Sequence, residues 1–125
     1  MSTLINTFQE MIKTEIVESY MWYDGPLFYL IKTEKGQMYI CYLIARQPTD
    51  DKEFLVPVTL EEVEEMKTSN IREWFLKQYR EHKLYRYTIN FEAELYNVEQ
   101  VEESNYDPTE FPTSDFYMDK LDAKK

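Results

Sequence analysis

The cleanest alternation of apolar and polar positions runs from Leu84 to Tyr96. Tyr85, Tyr87, Ile89, Phe91, Ala93 and Leu95 fall on one face; Arg86, Thr88, Asn90, Glu92 and Glu94 fall on the other. A period of two over that length predicts one long, half-buried antiparallel strand. Gln37–Ala45 behaves differently. Tyr39, Cys41, Leu43 and Ala45 share one face, and Met38, Ile40, Tyr42 and Ile44 share the other. With both faces apolar, this segment is expected to be a central strand covered on both sides. Asp24-Gly25-Pro26 and Glu34-Lys35-Gly36 punctuate the chain on either side of Leu27–Thr33, so a hairpin is expected there. Ile16–Tyr23 reads as a preceding strand. Glu53–Val58 reads as a third strand of the meander, lying at an edge or ending at Pro57.

Helical spacing appears in three places. Leu4, Ile5, Phe8, Met11 and Ile12 predict a short amphipathic helix over residues 4–13, the alternative being an ordered arm leading into a strand. Thr59 followed by Glu62 fits a capping box and predicts a helix to about Lys67. A second helix starts near Ser69 or Asn70, with Ile71, Trp74, Phe75 and Tyr79 as its apolar stripe. Arg72, Glu73, Lys77, Gln78 and Arg80 are assigned to its solvent face. Ser114 is a candidate cap for a last short helix holding Phe116, Tyr117 and Leu121. The resulting expectation is a single α+β domain over 1–125. It has an antiparallel, curled sheet of four to five strands and a short helix pair inserted before the last long strand. An acidic C-terminal segment, 103–125, packs on or trails from the core.

Composition narrows the function classes. The chain has 125 residues, 43% hydrophobic and 16% aromatic, enough to fill one core. Cys41 is the only cysteine, so no intramolecular disulfide forms. The N-terminus lacks the pattern of a signal peptide, and no apolar run approaches a bilayer span; a cytoplasmic location is expected. The single histidine, His82, allows neither a zinc site of the usual kind nor a Ser-His-Asp or Cys-His arrangement with a recognisable nucleophile elbow. Near a helix end it is expected to meet the last carbonyls. The only glycines, Gly25 and Gly36, stand alone, so phosphate-binding loops are absent. No catalytic set and no cofactor are expected.

Net charge is −10, unevenly spread. Residues 71–90 hold two acids and five bases, whereas residues 91–125 hold ten acids and three bases. Nucleic acid and anionic lipid are repelled overall. Direct nucleic-acid binding would have to use Arg72, Lys77, Arg80, Lys83 and Arg86. The partner expected instead is a protein with a basic surface. Its candidate contacts are Glu61, Glu62, Glu64 and Glu65 on the first helix of the pair, and Glu99, Glu102, Glu103 and Asp107 beyond the last strand. Acids at a helix N-terminus also oppose its dipole, and acidity also aids solubility.

From Tyr23 to Leu76 the chain resembles an uncharacterised bacterial domain family. The residues that carry the resemblance are Tyr23-Asp24-Gly25-Pro26, Leu27-Phe28, Gly36, Tyr39, Asp50-Asp51, Val56-Pro57-Val58, Glu61–Glu65 and Ile71-Arg72-Glu73. The resemblance implies a small soluble module of bacterial or phage origin and assigns no activity. The function expected is a non-enzymatic protein-interaction module that blocks or regulates a partner. The alternative is an enzyme or small-ligand sensor with a tyrosine-lined pocket beside the sheet.

Overall fold

The computed structural model describes residues 4–118. Six strands form one antiparallel sheet in the order of the sequence: β1 (Glu15–Trp22), β2 (Pro26–Lys32), β3 (Met38–Arg46), β4 (Asp51–Val58), β5 (Tyr85–Asn90) and β6 (Leu95–Gln100). Three α-helices accompany it. α1 (Phe8–Ile12) precedes β1, and α2 (Leu60–Lys67) and α3 (Ile71–Arg80) lie between β4 and β5. The fold is therefore α+β and antiparallel as expected, with six strands rather than four to five.

The extra strand arises because the long alternation of Leu84–Tyr96 is broken. Phe91–Glu94 turns the chain, and Ile89 pairs with Tyr96. The Asn90 side chain accepts from the Ala93 amide at 2.9 Å, and Glu94 adopts a left-handed φ of 57°. An Asn side chain that satisfies a nearby amide offers the backbone an alternative to continuing the ladder. Reversal flips the parity. Tyr96 and Val98 join Tyr87 and Ile89, while Phe91 and Leu95 are left exposed at 60% and 64%.

Both faces of the sheet are covered. Phe28, Leu30, Ile40, Phe54, Val56 and Val58 pack against α2, α3 and the C-terminal segment through Val63, Met66, Ile71, Trp74, Phe75, Val101 and Phe111. Phe28 sits among the rings of Tyr20, Tyr42, Phe75 and Phe116. On the opposite face Tyr29, Ile31, Tyr39, Cys41, Leu55, Tyr87 and Ile89 pack under Ile5 and Met11. The two-faced reading of β3 therefore holds.

Local chemistry explains the element ends. Thr7 and Thr59 each cap a helix and are answered by Glu10 and Glu62 in reciprocal capping boxes. Helix α1 is shorter than expected, because Leu4 and Ile5 lie before the Thr7 cap. Asn70 caps α3 by accepting from the Glu73 amide. Pro57 lies in an inner strand, but β5 pairs only as far as Leu55, so the missing N–H leaves no ladder bond unmade. Gln78, assigned above to solvent, is instead buried on α3. The C-terminal segment drapes over the α2/α3 face through two 3-10 turns, Glu103–Asn105 and Pro108–Glu110. Ser114 lies in a turn rather than at a helix cap, Tyr117 forms a bridge with Asn70, and Leu121 lies outside the described residues.

Candidate functional site

The candidate carboxylates fall into two groups with different fates. On α2, Glu62 binds Lys83 at 2.6 Å, Glu64 binds Lys67 at 3.4 Å and Glu65 binds Lys77 at 3.2 Å. Burial opposes ionisation of Glu62, but the Lys83 hydrogen bond and the Thr59 cap hold its carboxyl below the usual carboxylate range. Among the described residues Glu61 alone of the four makes no ion pair. The four-carboxylate run is thus largely matched by bases from α2, α3 and the loop after it. The same contacts occupy most of the candidate basic patch, leaving Arg80 exposed at the end of α3. Lys77 and Lys83 are paired, Arg72 donates to the Pro112 carbonyl, and Arg86 is buried.

Arg86 was expected on the solvent face of its strand, yet it is only 7% exposed. It lies opposite Phe54, beneath the C-terminal segment. Its guanidinium donates to Glu99 at 2.7 Å, to Glu110 through Nε at 3.0 Å and also through Nη2, and to the Asn105 carbonyl at 2.9 Å. An arginine fork satisfied on several sides can be buried where an unpaired charge cannot. Burial opposes its charge, but the two carboxylates raise its pKa further above the ordinary arginine value. Glu99, a candidate partner contact, holds Arg86 while its own side chain stays about half exposed. Asp107 caps the second 3-10 turn by accepting from the Thr109 amide, and the Thr109 hydrogen bonds hold its carboxyl below the usual range.

Glu102 and Glu103 stay exposed and make no ion pair among the described residues. They join Tyr79, Arg80, His82, Gln100 and Val101 around an open groove of about 630 Å³. His82 has a left-handed φ of 62° and its amide donates to the Tyr79 carbonyl, while Lys83 donates to the Gln78 carbonyl. That bond pair is a Schellman ending, so His82 meets the last carbonyls through its backbone amide and not through the imidazole as expected.

Sequence reasoning missed Glu92 and Glu94, assigned to the middle of a long strand. The turn places them, exposed, at the tip of the β5–β6 hairpin beside Phe91 and Leu95. Between Tyr87 and Met118 the sequence has eight carboxylates and no base. Among the described residues Glu92, Glu94, Glu102 and Glu103 make no ion pair; they lie at the two ends of β6, with Arg80 lining the groove beside Glu102 and Glu103. The signal that could have found them was Asn90, a turn-forming side chain inside an otherwise regular alternation.

Tyr20, Tyr29, Tyr39 and Tyr87 are buried, five further tyrosines are half-buried, and Tyr23 and Tyr117 are exposed. Tyr29 donates its hydroxyl to Glu53 Oε1 at 2.7 Å, and Tyr87 hydrogen-bonds with the same group of side chains, which also includes the Cys41 thiol. Burial pushes the Glu53 carboxyl up to about 7 and pushes the Cys41 thiol up as well. This cluster is closed off beneath Ile5 and Met11, and the open groove is lined by one tyrosine, Tyr79. Among the described residues no group of three or more His, Cys, Asp or Glu side chains is placed to hold a metal ion, and no helix is long and apolar enough to cross a membrane. No protein-family model matches the chain, and neither the curated proteins nor the solved structures contain a significant match.

Proposed function

We propose that this chain is a small, non-enzymatic protein-interaction module of bacterial or phage origin. It binds a protein with a basic surface, and blocks or regulates it, through the carboxylates around β6. The observation that carries this reading is an acidic rim without an ion pair among the described residues. Glu92, Glu94, Glu102 and Glu103 stand exposed in a segment without a single base, whereas the acids of α2 are mostly matched by lysines. A field of one sign attracts an oppositely charged partner and raises its association rate, more strongly at low salt. Bacterial or phage origin rests on the Tyr23–Leu76 resemblance. The reading thus shifts the contact surface from Glu61, Glu62, Glu64 and Glu65 toward β6, keeping Glu102 and Glu103.

The test is affinity capture from a bacterial lysate with two charge-reversed variants. Reversal of Glu92, Glu94, Glu102 and Glu103 to lysine removes the captured partner. Reversal of Glu61, Glu62, Glu64 and Glu65 weakens capture less. Identical captured proteins for wild type and both variants would refute the proposal.

A further inference from the structure

We infer that the outer edge of β6 docks an extended segment of the partner in which basic and apolar side chains alternate, adding a seventh strand to the sheet. The inference rests on the acidic-rim reading above and specifies the binding mode. The first observation is ladder parity. The Val101 amide donates to the Leu84 carbonyl at 2.9 Å. In an antiparallel pair, alternate residues exchange both bonds and the residues between them point away. Glu99, Asn97 and Leu95 therefore bond toward β5, and Tyr96, Val98 and Gln100 turn their N–H and C=O groups outward. Asn105 Nδ2 donates to the Gln100 carbonyl at 3.1 Å. The outward groups of Tyr96 and Val98 have no partner among the described residues.

The second observation is the contrast between the two edges. Register shifts interrupt the β1–β2 pairing at Ile16/Glu18, Ser19/Met21 and Met21/Trp22, and Glu18 on that edge is tied to Lys67 and Tyr20. Bulges of that kind blunt an edge against further pairing. The β5–β6 register is unbroken from Tyr85/Gln100 to Asn90/Leu95. One edge is guarded and the other is regular.

The third observation is charge. An added strand meets Glu92 and Glu94 at one end, with the exposed Phe91 and Leu95, and Glu102 and Glu103 with the groove at the other. Lysine or arginine alternating with apolar residues complements that surface; pairing of main-chain groups supplies affinity and alternate side chains supply selectivity. A second copy of this chain is disfavoured, because two β6 edges would bring like charges into opposition.

The test uses the full chain and a synthetic heptapeptide of alternating lysine and valine, followed by backbone amide NMR at low and high salt. Binding is expected to shift and protect the Tyr96 and Val98 amides and to weaken with salt. Val98→Pro removes one outward donor while leaving the β5 bonds in place, and lowers affinity by about tenfold, the loss of one hydrogen bond. Unchanged thermal unfolding shows that this variant is folded. An independent variant, Glu92→Gln with Glu94→Gln, Glu102→Gln and Glu103→Gln, flattens the salt dependence without touching the edge. If V98P binds like wild type while the glutamine variant does not bind, the edge inference falls and the acidic-rim reading stands. If both bind like wild type, both fall. No binding to wild type, or shifts confined to the groove residues, overturns the edge inference. A concentration-dependent dimer abolished by V98P overturns the choice of a partner strand over a second copy.

Discussion

The Tyr29 hydroxyl donates to Glu53 Oε1 at 2.7 Å in the interior of the sheet, joining β2 to β4 across the intervening β3. Glu53 is 4% exposed, and its carboxyl titrates near 7 because burial penalises the charged form more than the tyrosine hydrogen bonds favour it. The unfolded chain titrates this group near the ordinary glutamate value of 4.5. Between those values the folded state holds more protons, so stability falls as pH rises. The effect is absent below about 4.5 and complete above about 7, with an upper bound of about 3 kcal/mol. Thermal unfolding followed from pH 5 to pH 8 is expected to show the decline. Glu53→Gln flattens it, and an equally steep decline in that variant would assign the slope to another group.

Cys41 lies next to this cluster, and its cover is the short segment containing Ile5 and Met11. Burial pushes the thiol up, so the reactive thiolate is scarce in the folded protein. A thiol reagent is expected to label Cys41 only on unfolding or when the cover lifts. Ile5→Ala removes buried apolar volume and costs about 2–5 kcal/mol if the site collapses little. Labelling of that variant is expected to accelerate at a denaturant concentration where wild type still resists. Equal rates would show that the N-terminal segment does not control access.

The strap at Arg86 gives a prediction of opposite sign for two substitutions. Glu110→Gln leaves a buried guanidinium with one carboxylate fewer, and breaking such a pair costs about 3–5 kcal/mol. Arg86→Met combined with Glu110→Leu removes both charges together, and such exchanges are often neutral or stabilising. Glu99, more exposed than Glu110, is left free to reach water. Urea unfolding of the two variants checks this. A double variant as unstable as the single one would mean that the strap does more than neutralise charge, for example by fixing the path of residues 101–111.

How much of this was legible depends on whether the signal was local. The Thr59 box, the Asn70 start of α3 and the turn glycines are local hydrogen-bonding or φ requirements, and each stands where the residues indicate. The two-faced β3 was legible because burial on both sides leaves no polar parity. The β5–β6 turn was not, because Phe91–Glu94 contains no glycine or proline and the alternation runs through it. Arg86 and Gln78 were misplaced for a different reason. Polar residues read as solvent-facing unless a distant segment covers them, and the cover over Arg86 comes from residues 99–110. The acidic site was half legible. The composition marked the carboxylates, but which of them keep their charge free depends on lysines that only folding brings near.

His82 supplies the last prediction. It occupies the position after the end of α3 where glycine is preferred, with a φ of 62°. A residue with a Cβ pays about 1–2 kcal/mol for the left-handed conformation, and glycine avoids that cost at the expense of a more flexible unfolded chain. The Schellman bonds from His82 and Lys83 are made by backbone groups and survive the change. So does the bond from Gln100 Nε2 to the His82 carbonyl. The His82 side chain is exposed, so little packing is lost. His82→Gly is therefore expected to stabilise the protein by about 0.5–1 kcal/mol, and His82→Val to destabilise it, since a β-branched side chain tolerates positive φ least. Thermal unfolding of the two variants under identical conditions separates this from a role for the imidazole. If both lose stability to the same extent, the side chain rather than the backbone conformation matters at this position.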